Sequence, residues 1–342
     1  MERLDYTSRR NEAVDIAKFI GAICVVCIHT RLFAGISSGF DFLFTEVICR
    51  FAVPFFSICT AYYFAQKLEF NESGRLINSD FNRRLFIKTI LRFLIMYLGW
   101  SFFYLLVLSF QWVNDGYLSI SAYIGWFKSL LIGESYYHLW YPFQIIIGLL
   151  LLWPMLRLLG NHKLISISVL LWVLVTWCYV YGSVVHPDVS IRVQTIRTLM
   201  NSSIRLLPLL LIGIIISQNK DNQSKIWLGL FLLIALLFLV AEVLFLRRFG
   251  ADHFSYILFT LPIGYFLFRT LLSLRITVRF DTRVLANSSM IIYFIHPAVL
   301  FFIIICGFDS TLFIGLLTII TSSVLGLIYA CFRERGLLSN RK

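Results

Sequence analysis

The sequence predicts an all-α polytopic membrane protein: a bundle of about ten transmembrane helices plus one short interfacial or re-entrant helix, N-in and C-in. Three observations carry this expectation. The 342 residues are 59% hydrophobic and only 14% charged, with a mean hydropathy of +0.83, too little polar surface for a water-soluble domain of this length. The apolar residues come in runs such as IWLGLFLLIALLFLVAEVLFL and LFIGLLTIITSSVLGLIYACF, each about the ~20 residues a spanning helix requires. Basic residues collect in alternate loops, as membrane topology requires, which turns the net charge of +12 away from a nucleic-acid reading.

Spans are placed at residues 13–33, 44–66, 86–110, 138–159, 164–182, 202–218, 226–246, 253–272, 286–306 and 312–332. The first is interrupted by Asp15 and Lys18 and is longer than the apolar stretch of an ordinary signal peptide, so it reads as a retained span. In the second, Pro54 follows Arg50 by four residues, which removes the hydrogen bond to the Arg50 carbonyl and bends the helix. The stretch SISAYIGWFKSLLI at 119–132 is aromatic and amphipathic but too short to span, and is assigned to the interface. The fourth span opens on Tyr136, Tyr137, Trp140 and Tyr141, a belt typical of membrane anchoring. The seven cysteines lie mostly inside apolar segments and read as small packing residues, the Cys24-x-x-Cys27 pair included.

Charge orients the bundle. With ten spans and a cytoplasmic N-terminus, 20 of the 30 Lys and Arg residues fall on the inner side and 7 on the outer. Lys18, Arg50 and Arg92 lie within spans. An eleventh span would carry the basic C-terminal tail outside and is rejected. The longest polar loops, near 67–85 and 183–201, are too short to fold alone. The chain therefore reads as a single integral-membrane domain over 1–342, with a cytoplasmic segment at 1–12 and a cytoplasmic basic tail at 333–342.

Ionisable groups within spans are costly and mark candidate functional positions. Lys18 and His29 are eleven residues apart, which places them on one helical face about 16 Å apart along the axis. Asp15 lies on the same stripe, three residues before Lys18, where the two can pair. Glu46 and Arg50 share a face at i,i+4 spacing, and the topology puts them in the outer half with His29. Glu134 and His138 are four apart if that stretch is helical. His296 precedes Pro297, where it or a Ser289-type hydroxyl can satisfy a carbonyl that the proline frees. His162, His186 and His253 sit at loops or span ends and receive no role. A structural ion pair or a satisfied bundle histidine is the competing explanation at each of these positions.

Taken together, these stretches resemble the acyltransferase 3 family of bacterial integral-membrane O-acyltransferases. The family's first helix carries an Asp, an Arg, ten residues and a His; here the series is Asp15, Lys18, ten residues and His29. RFAVPFFSICTAYYF resembles its FFxxSG motif, with Thr60-Ala61 in place of Ser-Gly. His138-Leu139-Trp140 matches a later HLW, and SSMIIYFIHP matches a late S-x-x-IYLxHP pattern. The Lys18 and Thr60 departures are most similar to the small single-module members that resemble enterobacterial common antigen O-acetyltransferase.

The resemblance implies transfer of an acetyl or similar short acyl group from cytoplasmic acetyl-CoA to a hydroxyl of a cell-envelope glycan or lipid-linked saccharide. It places the chain in the bacterial cytoplasmic (inner) membrane. Membrane lipid is an implied neighbour, and neither metal nor nucleic acid is expected. His29 is the expected general base or acyl relay, Arg50 the oxyanion stabiliser and Glu46 its partner. Asp15 and Lys18 are assigned to the donor. Thr60, His138, Trp140, Tyr293 and His296 are assigned to the acceptor or cavity lining. A transporter or flippase for a polysaccharide or lipid-linked sugar is the alternative from a different class. Oligomeric state is left open.

Overall fold

The structure is a computed structural model and describes residues 10–185, 204–219, 224–251 and 254–339. Residues 1–9, His186 and the residues to 203, His253 and the last three residues of the basic tail lie outside the described residues, as does the side chain of His162. Among the described residues all regular elements are helical, apart from one isolated bridge between Phe70 and Leu76.

Among the described residues, seven helical segments are long and apolar enough to cross a bilayer: Glu12–Thr30, Ser38–Ala65, Asp80–Asn114, Trp140–Leu158, Lys225–Arg248, Arg283–Ile305 and Thr311–Gly336. Each coincides with an expected span. The other three expected spans form shorter helices, Asn161–Thr176, Leu207–Gln218 and Thr260–Ser273. Ile120–Ile132, at 13 residues, is short as expected. Large apolar side chains stay exposed along the long helices, including Ile95, Leu106, Leu237 and Ile320. In water such surfaces would be a liability, whereas hydrocarbon accepts them at no cost.

Contacts divide the chain into two compact units, one comprising Met1–Cys59 with Asp221–Lys342, the other Thr60–Lys220. In the first unit, α1 (Glu12–Thr30) is followed by α2 (Ser38–Leu43), which runs through a π turn at Phe44–Ile48 and a 3-10 turn at Cys49–Phe51 into α3 (Ala52–Ala65), whose residues from Thr60 on are assigned to the second unit. The irregularity sits just ahead of Pro54, where the missing amide donor disrupts the α ladder.

The second unit contains α4 (Asp80–Asn114), α5 (Ile120–Ile132), α6 (Trp140–Leu158), α7 (Asn161–Thr176), a π turn at Trp177–Tyr181, α8 (Gly182–Val185) and α9 (Leu207–Gln218). α4 is longer than the apolar pattern alone indicates. Ser79 caps it by accepting from the Asn82 amide, and Arg83, Arg84 and Lys88 continue the helix because charge does not break it.

The first unit is completed by α10 (Lys225–Arg248), α11 (Thr260–Ser273), α12 (Arg283–Ile305) and α13 (Thr311–Ser339). α12 packs on both α1 and α13. Gly326 permits the close approach of α13, since a Cβ there would meet the Ser288 carbonyl oxygen at 2.9 Å. Ser57 and Thr318 back-bond to the carbonyls of Val53 and Ile314 one turn earlier, so these two hydroxyls carry no unmet donor into the bundle.

Candidate active site

The polar end of α1 is tied down by its own side chains. Asn11 accepts from the Val14 amide and donates to the carbonyls of Leu271 and Leu272, and Glu12 accepts from the Val278 amide at 2.9 Å. Asp15 is buried and accepts from Arg10 Nε at 2.5 Å and Thr282 Oγ1 at 3.1 Å. The expected Lys18–Asp15 pair is present but longer, at 3.5 Å. Arg10, which reads in the sequence as one more topology charge, is thus the shorter partner of Asp15.

Eleven residues further along α1, His29 meets α12. Its ring stacks on that of His296 with centroids 5.2 Å apart and planes inclined by 29°. His296 is fully buried, and its Nδ1–H donates to the Ile292 carbonyl at 3.1 Å. The carbonyl that Pro297 frees is that of Tyr293, one residue after the acceptor of this bond. That bond leaves Nε2 as the lone-pair nitrogen of the neutral ring. The Tyr293 ring lies 6.3 Å from His296.

Arg50 approaches the same histidine from the 3-10 turn, within electrostatic reach of His29. Its Nε donates to Glu46 Oε2 at 2.7 Å and its Nη1 to Ser255 Oγ at 2.9 Å. The fork is thereby oriented from two sides, and a second Arg50–Glu46 contact makes the pair tight. His29, His296, Arg50, Glu46, Tyr293 and Ser255 form one cluster drawn from elements widely separated in the chain.

Two further carboxylates in this unit hold backbone. Arg31, the residue after α1, has φ 50°, a left-handed conformation that costs a non-glycine residue about 1 kcal/mol. The buried Asp41 carboxylate holds it there, accepting from Arg31 Nε at 2.6 Å and from the Phe33 amide at 3.0 Å. On α10, the buried Glu242 accepts from the Leu258 and Phe259 amides at 2.6 and 3.0 Å, capping the start of α11.

The remaining predicted positions belong to the second unit. Thr60 lies on α3. The 134–139 stretch is a turn, so Glu134 and His138 do not share a helical face: Glu134 is exposed and His138 is buried edge-on to Tyr104, with centroids 4.9 Å apart. Trp140 opens α6 beneath the Arg205 guanidinium, 4.3 Å from its ring centroid.

Comparison with known proteins places the chain in a family. The family model described as "acyltransferase domain" matches residues 11–333. The chain belongs to the acyltransferase 3 family. Curated relatives of this acyltransferase 3 chain include an "Amino-acid racemase" from Enterococcus faecalis, 26% identical over 305 residues, or 85% of this chain and 41% of that protein. A "Serine/alanine racemase" from Enterococcus gallinarum is 27% identical over 272 residues, or 77% of this chain and 37% of that protein. The chain thus spans about two fifths of the length of these curated relatives. No solved structure matches it.

Proposed function

We propose that the protein is a multi-pass, acyl-CoA-dependent O-acyltransferase that moves an acetyl or similar short acyl group to a hydroxyl of a cell-envelope glycan or lipid-linked sugar. The observation that carries this reading is the meeting of His29 with His296 and the oriented Arg50 in an acyltransferase 3 chain. In this reading His29 takes the proton of the acceptor hydroxyl as its oxygen attacks the thioester carbonyl. Arg50 faces the negative charge that grows on the carbonyl oxygen, and Glu46 and Ser255 keep the guanidinium from reorganising. Collapse of the tetrahedral species breaks the C–S bond, and the imidazolium returns its proton to the departing CoA thiolate. An acyl-histidine relay uses the same residues in two steps.

The donor end of the reading lies about 16 Å along α1, at Lys18. Asp15 contacts Arg10 and Lys18, and in this reading it positions the two cations that are offered to donor phosphates. The ten-span frame with both termini cytoplasmic, the inner-membrane setting and the likeness to common-antigen-type enzymes belong to the same proposal. Thr60, His138, Trp140, Tyr293 and His296 stand in it as acceptor or cavity positions.

The test is CoA release from acetyl-CoA by the full chain in lipid nanodiscs, with and without acceptor. The acceptor panel holds oligosaccharides, a lipid-linked sugar and, because of the relatives' names, serine. Acceptor-dependent CoA release with acylated product supports the reading. Movement of unmodified glycan across vesicles without CoA consumption replaces it with the transporter alternative.

A further inference from the structure

One face of α4 is packed and the opposite face is bare. Asn82 is buried, accepts from the Glu69 amide at 2.9 Å and donates to the Glu69 and Ile77 carbonyls at 3.0 and 2.9 Å. Further along the same side, Phe86 stacks on Trp153 and the buried Tyr97 donates to the Leu130 carbonyl. These contacts fix the rotation of α4 about its own axis. On the opposite face Arg84, Lys88 and Arg92 recur at i,i+4,i+8 spacing, beside a parallel row of Ile87, Leu91 and Ile95. All six side chains are exposed, and together they line a groove of about 550 Å³.

Charge sets the depth of the groove. Residues 93–114 of α4 carry no charged side chain, and at 1.5 Å per residue they are long enough to cross about 30 Å of hydrocarbon alone. Arg92 stands at the edge of that stretch, with Lys88 and Arg84 about 6 and 12 Å further out. The headgroup layer of one leaflet is about 5–8 Å thick. The basic row therefore crosses that layer from the hydrocarbon boundary outward. Helical side chains lean toward the N-terminus, so the long stems of Arg92 and Lys88 carry their charges toward the headgroups.

Among the described residues nothing neutralises this row. Arg84, Lys88 and Arg92 form no ion pair and no side-chain hydrogen bond there, and Asp80, one turn ahead of Arg84, pairs with none of them. Helix stability does not account for the row, since cations near a helix N-terminus oppose its dipole. Orientation by charge calls for cations beside a span, but neither for a single face nor for an adjoining apolar row. An unpaired guanidinium at the hydrocarbon edge is costly, and an anion at the same depth offsets the cost. A soluble anion would cover the cations and leave Ile87, Leu91 and Ile95 unused. A phospholipid meets both rows at once, its phosphate on the cations and an acyl chain along the apolar side chains.

We infer that this face of α4 is a binding site for an anionic phospholipid, with the phosphate held by Arg84, Lys88 and Arg92 and one acyl chain laid along Ile87, Leu91 and Ile95. The bound lipid ties α4 to one leaflet and so fixes its depth. The site shares no residue with the His29 cluster and stands independently of the proposed acyl transfer.

The test titrates the full chain in detergent with phosphatidylglycerol or with phosphatidylcholine of the same acyl chains, and counts bound lipids by native mass spectrometry. Phosphatidylglycerol is expected to bind about a hundredfold more tightly. Arg84→Gln, Lys88→Gln and Arg92→Gln are each expected to weaken it about fivefold, the scale of one basic residue at an anionic surface. The three side chains are exposed and report separately, so two variants decide the matter should one fail to fold. Arg275→Gln combined with Arg279→Gln removes two exposed cations outside the groove and is expected to leave binding unchanged. Leu91→Ser is expected to weaken long-chain phosphatidylglycerol and to leave its dihexanoyl form unaffected, which ties the apolar row to the acyl chain. Equal binding of the two lipids, or an equal loss in the Arg275 and Arg279 control, overturns the site. Displacement of the lipid by equimolar acetyl-CoA overturns it in favour of a soluble anion. A second copy of the chain bound in place of lipid, lost in the same three variants, overturns it in favour of self-association.

Discussion

The imidazoles of His29 and His296 stack at 5.2 Å, and the Nδ1–H···O bond from His296 to the Ile292 carbonyl fixes the ring on which His29 rests. The pair therefore offers a base and a neighbour that holds its ring. His296→Ala is expected to lower kcat of acyl transfer by about 10- to 100-fold, less than loss of the base itself, with donor KM nearly constant. The pH–rate profile should change shape, whereas a merely structural loss would lower Tm and leave that shape alone. Steady-state kinetics over pH on the folded variant check this.

Asp41 fixes the turn that follows His29. Asp41→Ala strands the Phe33 amide and removes the partner that keeps Arg31 at positive φ, so it should destabilise the protein by about 1–3 kcal/mol. Arg31→Gly relieves the backbone strain while losing the ion pair, and is expected to cost less. Thermal unfolding of both variants in nanodiscs gives the order.

Glu242 is a carboxylate inside a long apolar helix whose work is structural. Glu242→Ala leaves the Leu258 and Phe259 amides without their acceptor and should cost about 2–3 kcal/mol. Glu242→Gln keeps one oxygen and is expected to fall between the two. Unfolding temperatures and hydrogen exchange at the start of α11 report the difference.

These carboxylates mark the boundary of what the sequence discloses. Each long helix was legible because a run of apolar residues of spanning length has little choice but to fold as a helix. The break in α geometry ahead of Pro54 and the Glu46–Arg50 pair were legible for the same local reason, since proline chemistry and i,i+4 spacing act within one element. Glu242 was missed because its partners are the Leu258 and Phe259 backbone amides, which leave no trace in residue type, and Asp41 because one partner is the Phe33 amide and the other, Arg31, is ten residues away with no helical spacing to link them. Arg10 was missed because a cation near a helix start looks the same whether it faces solvent or a buried Asp15. The meeting of His29 with His296 needs two helices from opposite ends of the chain, and spacing within either says nothing of it. The Glu134–His138 pairing depended on a helix that does not begin until Trp140.

At the polar end of α1, Asp281 accepts from Arg283, with the Nε contact at 2.7 Å. The Arg283 side-chain hydrogen bond holds its carboxyl below the usual 3.8 against the opposing effect of burial, with smaller help from the Arg283 amide and the charges of Arg283 and Arg10. A depressed value contributes stability that is present above about pH 3.8 and is lost as pH falls through the lowered value. The side chain is 41% exposed, so solvent screening keeps the effect below about 1 kcal/mol. Unfolding midpoints should fall more steeply in that acid window for the wild type than for Asp281→Asn, which lacks the titrating group.

The central claim is that His29 is the acyl-transfer centre, and its most direct measurement is transfer from radiolabelled acetyl-CoA to acceptor by folded His29→Ala in nanodiscs. The account predicts that kcat drops by about 10²–10⁴-fold while the variant still binds donor and keeps its unfolding temperature. Transfer at the wild-type rate in that variant would contradict it.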